Sequence, residues 1–146
     1  MMPGSRSVRG RWLAAWLGGA AIGVANGILR ERTYGRHLSG AVAHQLSTIT
    51  AIAAFSGYFL ALQRVWPISS DREAHEIGAG WLGLTIAFEF GFGRLVAKQS
   101  WDELLADYNL ARGRTWPLAL AWLGAGPSAI RRLDAGPRRW PGLCRR

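Results

Sequence analysis

Four apolar stretches, each bracketed by arginine, decide what this chain can fold into. They run over about 12–29, 41–62, 77–97 and 114–132. A bilayer core of roughly 30 Å is crossed by about 20 helical residues, and the first three stretches reach that length readily. Their polar members are few: Asn26 in the first, His44 and Gln45 near the start of the second, Glu89 and Arg94 in the third. The fourth reaches it if its helix begins near Arg114 and if Arg131 and Arg132 extend toward headgroups. Pro117 then falls in the first turn, where its missing N–H costs little, and Pro127 is placed to kink or end the helix. A re-entrant or interfacial fourth segment is the alternative. The expectation is an all-α integral membrane four-helix bundle forming a single transmembrane domain over 1–146.

The mean hydropathy of +0.05 hides this segregation of apolar and arginine-rich stretches. A net charge of +9 would also suit a nucleic-acid binder. Here the arginines gather at the ends of apolar runs, as membrane proteins keep them, so the expected partner is the lipid bilayer and not nucleic acid. Lys98 is the only lysine, a bias that fits a GC-rich bacterial genome and hence a bacterial cytoplasmic (inner) membrane. The lone Cys144 excludes an intramolecular disulfide and a cysteine-built metal site. There is no zinc spacing, P-loop, dinucleotide fingerprint or nucleophile elbow, so no metal or cofactor is expected.

The N-terminal stretch has the outline of a signal peptide, but its length, its two tryptophans and the following "LRER" favour a retained span. Alternating spans place Arg6, Arg9, Arg11, Arg64, Arg72 and the arginines of the basic tail (131–146) on one side. That side outweighs the other, which holds Arg30, Arg32, Arg36, Lys98, Arg112 and Arg114. Both termini are therefore expected in the cytoplasm.

Gly19, Gly23 and Gly27 recur at four-residue spacing in the first span, and Gly83, Ala87 and Gly91 do so in the third. Such stripes let helix backbones approach closely, whether within one bundle or in a homo-oligomer. Between the third and fourth spans, "SWDELLADYNLARGR" carries Ser100 and Glu103 at capping-box spacing. Trp101, Leu104, Leu105, Tyr108 and Ala111 then share one face, which predicts a short interfacial amphipathic helix over about 101–112.

Glu89 lies roughly 12 Å of helix below the end of its span. Alternating helix direction brings Asn26, Arg30, Glu31, His44, Gln45, Glu89 and Arg94 to similar depths. Glu89 and Arg94 are separated by about 140° around the helix, so they do not pair naturally. The expected partner for Glu89 is His44, Gln45, Asn26 or Arg30 on a neighbouring span. A charge facing bare lipid costs at least ~2.5 kcal/mol, so an interior position is favoured. His44 is suited to exchange a proton near neutral pH.

Three readings of this polar cluster follow. It binds or moves a small ligand, ion, proton or lipid; it is structural glue in an accessory subunit; or it is catalytic. One glutamate and one histidine without a nucleophile or metal set is a weak basis for catalysis, which ranks last. Rim arginines Arg30, Arg36, Arg112 and Arg114 suit anionic lipid headgroups or plain interfacial anchoring.

The segments "NGILRE", "YGRHLSG", "AHQLST", "AFEFGFG" and "WDELLADYNLARGRTWP" resemble a group of small four-span bacterial inner-membrane proteins with no assigned activity. The resemblance covers about residues 12–130 and implies the membrane fold alone. Small four-span glutathione-dependent enzymes match in size, but "AHQLSTITAIAAF" lacks their arginine-asparagine-glutamate signature.

Overall fold

The computed structural model describes residues 5–136. The basic tail beyond Gly136, including Cys144, lies outside the described residues, as does the side chain of Arg6. Five α-helices follow in order: α1 (Ser5–Arg32), α2 (Gly40–Val65), α3 (Asp71–Leu95), α4 (Trp101–Ala106) and α5 (Trp116–Asp134). Short 3-10 turns occupy Tyr34–Arg36 and Leu110–Arg112, and no strand occurs among the described residues.

Local sequence sets the boundaries. Ser39 caps α2 by accepting from the Val42 N–H at 3.4 Å, and Ser70 caps α3 by accepting from the Glu73 N–H at 3.2 Å. Asp71 and Glu73 then place negative charge in the first turn of α3, against the positive end of its dipole. Helix α3 thus begins well before the apolar run at 77. Pro117 sits in the first turn of α5, and that helix continues through Pro127 to Asp134 without ending there.

The helix expected over 101–112 is shorter. The capping box at Ser100 and Glu103 is present, but α4 stops at Ala106. Asp107 then turns aside to pair with Arg114 at 3.3 Å, and Tyr108 turns inward. Those contacts compete with helical continuation and win. Leu104 is buried, whereas Trp101, Leu105 and Ala111 remain exposed.

The long helices run alternately up and down. Helix α1 packs on α2 and α3, and α5 packs on the same two, so α2 and α3 lie on a diagonal. The loop at 66–70 crosses that diagonal and closes one end. Ile68 is buried there, and its N–H donates to Oε1 of Gln63 at 3.1 Å. Trp12 Nε1 donates to the Trp66 carbonyl at 2.9 Å, and Trp81 Nε1 donates to the Trp12 carbonyl at 2.9 Å. Phe59 stands edge-on to Trp81 at 4.9 Å between centroids and lies 5.9 Å from Trp12. Each ring buried here contributes through area removed from its surroundings and through its specific geometry. The dense core belongs to this end.

Small residues pack the bundle, but largely not the expected ones. A Cβ at Gly78 would run into the Gly124 carbonyl, so these two glycines set the closest approach of α3 and α5. Gly19 accommodates the Trp81 ring. Gly23 has only Phe55 nearby, at 3.9 Å, and Gly27, Gly83 and Gly91 meet nothing within 4 Å; Ala87 is exposed. Spacing defines a stripe but not the direction it faces, and the stripe on α3 faces outward. It does not pack against another helix of this bundle.

Two helices, Ser7–Arg32 and Gly40–Val65, are long and apolar enough to cross a membrane. Few of the first helix's residues are buried inside the fold. Leu17 is 69% exposed and Ile49 is 65% exposed, and Val24, Leu60, Leu84, Phe92 and Leu118 extend the apolar outer surface around the bundle.

Candidate functional site

The end of the bundle away from the tryptophan-packed core is hollow. Two adjoining chambers lie among the helices there and share part of their walls. The inner one is about 180 Å³ and apolar; the outer one is about 340 Å³ and polar, reaching Arg30, His44, Asp107 and Tyr108. Gly23, Phe88, Glu89 and Trp116 line both, so Glu89 stands at their junction. A Cβ at Gly23 would meet only Phe55, at 3.9 Å, so a side chain there has room to project into the chambers.

Glu89 is half-buried, and both its oxygens are engaged. Tyr108 Oη donates to Oε2 at 2.6 Å, and Trp116 Nε1 donates to Oε1 at 2.5 Å. The partners are neutral donors from the loop after α4 and from the start of α5, not the expected His44, Gln45, Asn26 or Arg30. Tyr108 also stacks on Phe90 at 5.7 Å. Burial, followed by the hydrogen bond to Glu89, holds the Tyr108 phenol well above its ordinary range, so it remains a donor.

Asn26 fastens α1 to α2. Its Nδ2 donates to the carbonyl and the hydroxyl of Ser47, each at 2.9 Å, and its Oδ1 accepts from Thr50 at 2.7 Å. His44 lies between two guanidinium groups: Nδ1 is 3.4 Å from Arg30 Nη1, and Nε2 meets Arg114 Nη1. A neutral imidazole has only one lone pair to offer, so it can accept from only one of them. Asp107 balances Arg114, and Glu31 lies 3.6 Å from Arg30.

Asn26, Arg30, His44 and Glu89 therefore line the outer chamber together. Gln45, Glu31 and Arg94 do not. Gln45 is exposed near Gly113, whose left-handed φ of 77° ends the second 3-10 turn. Glu31 faces the end surface beside Arg36. Arg94 donates to the Gln99 carbonyl at 2.6 Å and lies over the Trp101 ring, bracing the turn into α4. Depth along a helix was readable for these residues, but azimuth was not. Tyr108 and Trp116 were hidden for another reason: each was counted as apolar, although each has a polar tip that seeks a partner when buried.

Comparison with known protein families, with curated proteins and with solved structures finds no match to this chain.

Proposed function

We propose that this chain is a multi-pass protein of the bacterial inner membrane, with four spans and both termini in the cytoplasm, that binds or moves a small ligand in the two-chamber cavity. Glu89 is its polar anchor. The observation that carries this reading is the asymmetry of the bundle. One end is filled by Trp12, Phe59 and Trp81, while the other keeps two adjoining cavities with a carboxylate on the wall they share. A cavity with an apolar body and a few convergent polar groups is the usual form of a small-molecule site.

The membrane setting is supported by the apolar outer surface, on which Leu17, Val24, Ile49, Leu60 and Leu118 stand exposed. Arginines gather at both ends of it: Arg9, Arg11, Arg64 and Arg72 at the closed end, and Arg30, Arg32, Arg36 and Arg112 at the hollow one. In that setting α4 lies along the interface, with exposed Trp101 and Leu105 toward lipid.

The test is thermal unfolding in mild detergent with and without octanol, a small amphiphile, comparing wild type with Gly23→Leu. A ligand held by the folded state raises its melting temperature. Wild type is expected to be stabilised relative to Gly23→Leu, whose side chain projects from the wall that both chambers share. Equal shifts in both proteins, if both are folded, would remove the cavity as the site.

A second reading, that of an accessory subunit, draws on the Asn26 bonds and on the pair of donors to Glu89, since both fasten elements together. It predicts that polar substitutions at these positions change stability and leave ligand retention alone.

A further inference from the structure

The inner chamber is lined by five aromatic side chains, Trp16, Phe55, Trp81, Phe88 and Trp116, and among the described residues Glu89 is the one ionisable group on its wall. Its other polar wall group, the Thr85 hydroxyl, is already used: it donates to the Trp81 carbonyl at 2.8 Å and accepts from Trp16 Nε1 at 3.0 Å. Glu89 has two hydrogen bonds from neutral donors, and among the described residues no cation stands within ion-pair distance of it. The nearby guanidinium groups of Arg30 and Arg114 face His44, Glu31 and Asp107 instead.

A carboxylate removed from water wants a counter-charge, and aromatic faces attract cations. An anionic headgroup at this junction would be pressed against Glu89. From the cavity's chemistry we infer that its ligand is a small lipophilic organic cation, a protonated or quaternary amine on an apolar body, with the ammonium beside Glu89 and the body among the aromatic rings. This rests on reading the cavity as a ligand site and names the ligand's class. Size limits it further. A cavity of about 150 Å³ holds benzene, so the 180 Å³ chamber takes a ring-sized body.

The experiment is equilibrium binding to the purified full chain in mild detergent, using two isosteric probes. Trimethylphenylammonium carries the positive charge, and tert-butylbenzene has the same shape without it. The cation is expected to bind wild type more tightly, and Glu89→Gln to weaken it by roughly 30-fold or more, the loss that follows removal of one partner of a desolvated charge pair. Glu89→Asp, which keeps the charge, is expected to retain part of the preference. Equal binding of both probes to wild type would overturn the cation assignment while leaving the cavity as a ligand site. If neither probe binds wild type, the assignment and the cavity reading fall together. Because the wild-type comparison decides the matter, the outcome does not depend on the variants folding.

Discussion

Tyr108 donates its phenolic O–H to Oε2 of Glu89 at 2.6 Å, so the loop after α4 is tied to α3 at the hollow end of the bundle. Removing the hydroxyl in Tyr108→Phe leaves Glu89 with Trp116 alone. The expected loss is about 1–3 kcal/mol, the cost of leaving a buried acceptor short of a partner. Chemical or thermal unfolding measures it, and hydrogen exchange should show faster opening of residues 107–115. The phenol's pKa is higher in the folded state than in the unfolded one. Its contribution is therefore fully present below the unfolded value and is lost only as alkaline pH rises toward the folded one.

Asn26 makes a separable prediction. Asn26→Leu leaves Ser47 and Thr50 without their α1 partner. At roughly 1 kcal/mol per interhelical bond, the melting temperature should fall clearly. Cation binding at Glu89 should weaken less in the folded fraction than it does in Glu89→Gln, because Asn26 lines only the outer chamber. Loss of both together would show that the α1–α2 seam also shapes the cavity.

Glycines on α3 should divide sharply. Gly78→Ala meets the Gly124 carbonyl and should destabilise by about 1–3 kcal/mol, as overpacking does, because backbone cannot swing aside. Gly83→Ala and Gly91→Ala have open space, so they should leave the fold as stable as wild type or slightly more so, through helix propensity. If the outward stripe instead joins two copies of the chain, those same substitutions will lower the oligomer mass measured by light scattering.

At the closed end, Glu76 bridges Arg9 of α1 and Arg72 one turn earlier on its own helix. The hydrogen bonds from Arg72 and then from Arg9 hold its carboxyl below the ordinary value. A depressed folded pKa means stability that is present above the unfolded value and lost as pH falls through the folded one. Wild type should therefore lose a small increment of stability on acidification to about pH 3, and Glu76→Gln should lack that increment. Melting curves against pH, compared between the two proteins, test the sign.

Orientation is open to a direct test. In a Cys144→Ser background, single cysteines replacing Leu38 and Ser69 lie at opposite ends of the bundle. With both termini in the cytoplasm, a membrane-impermeant thiol reagent applied to intact cells should label position 38 and spare position 69. The reverse pattern would invert the proposed topology.

The helices were legible because apolar runs, serine caps and Pro117 are local signals. The capping box at Ser100 was legible for the same reason. The order of the helices around the bundle was not, since the loop at 66–70 can be traced over a diagonal or along an edge with the same sequence. The roles of Gly78 and Gly124 depend on that order. The co-location of Asn26, Arg30, His44 and Glu89 followed from depth alone, whereas the outward displacement of Gln45, Glu31 and Arg94 required knowing how each helix is rotated.

The relay from Trp81 to the Trp12 carbonyl and from Trp12 to the Trp66 carbonyl pins three parts of the chain at one point. Both acceptors are main-chain carbonyls, so each bond depends on the donating indole and not on the side chain of the residue that accepts it.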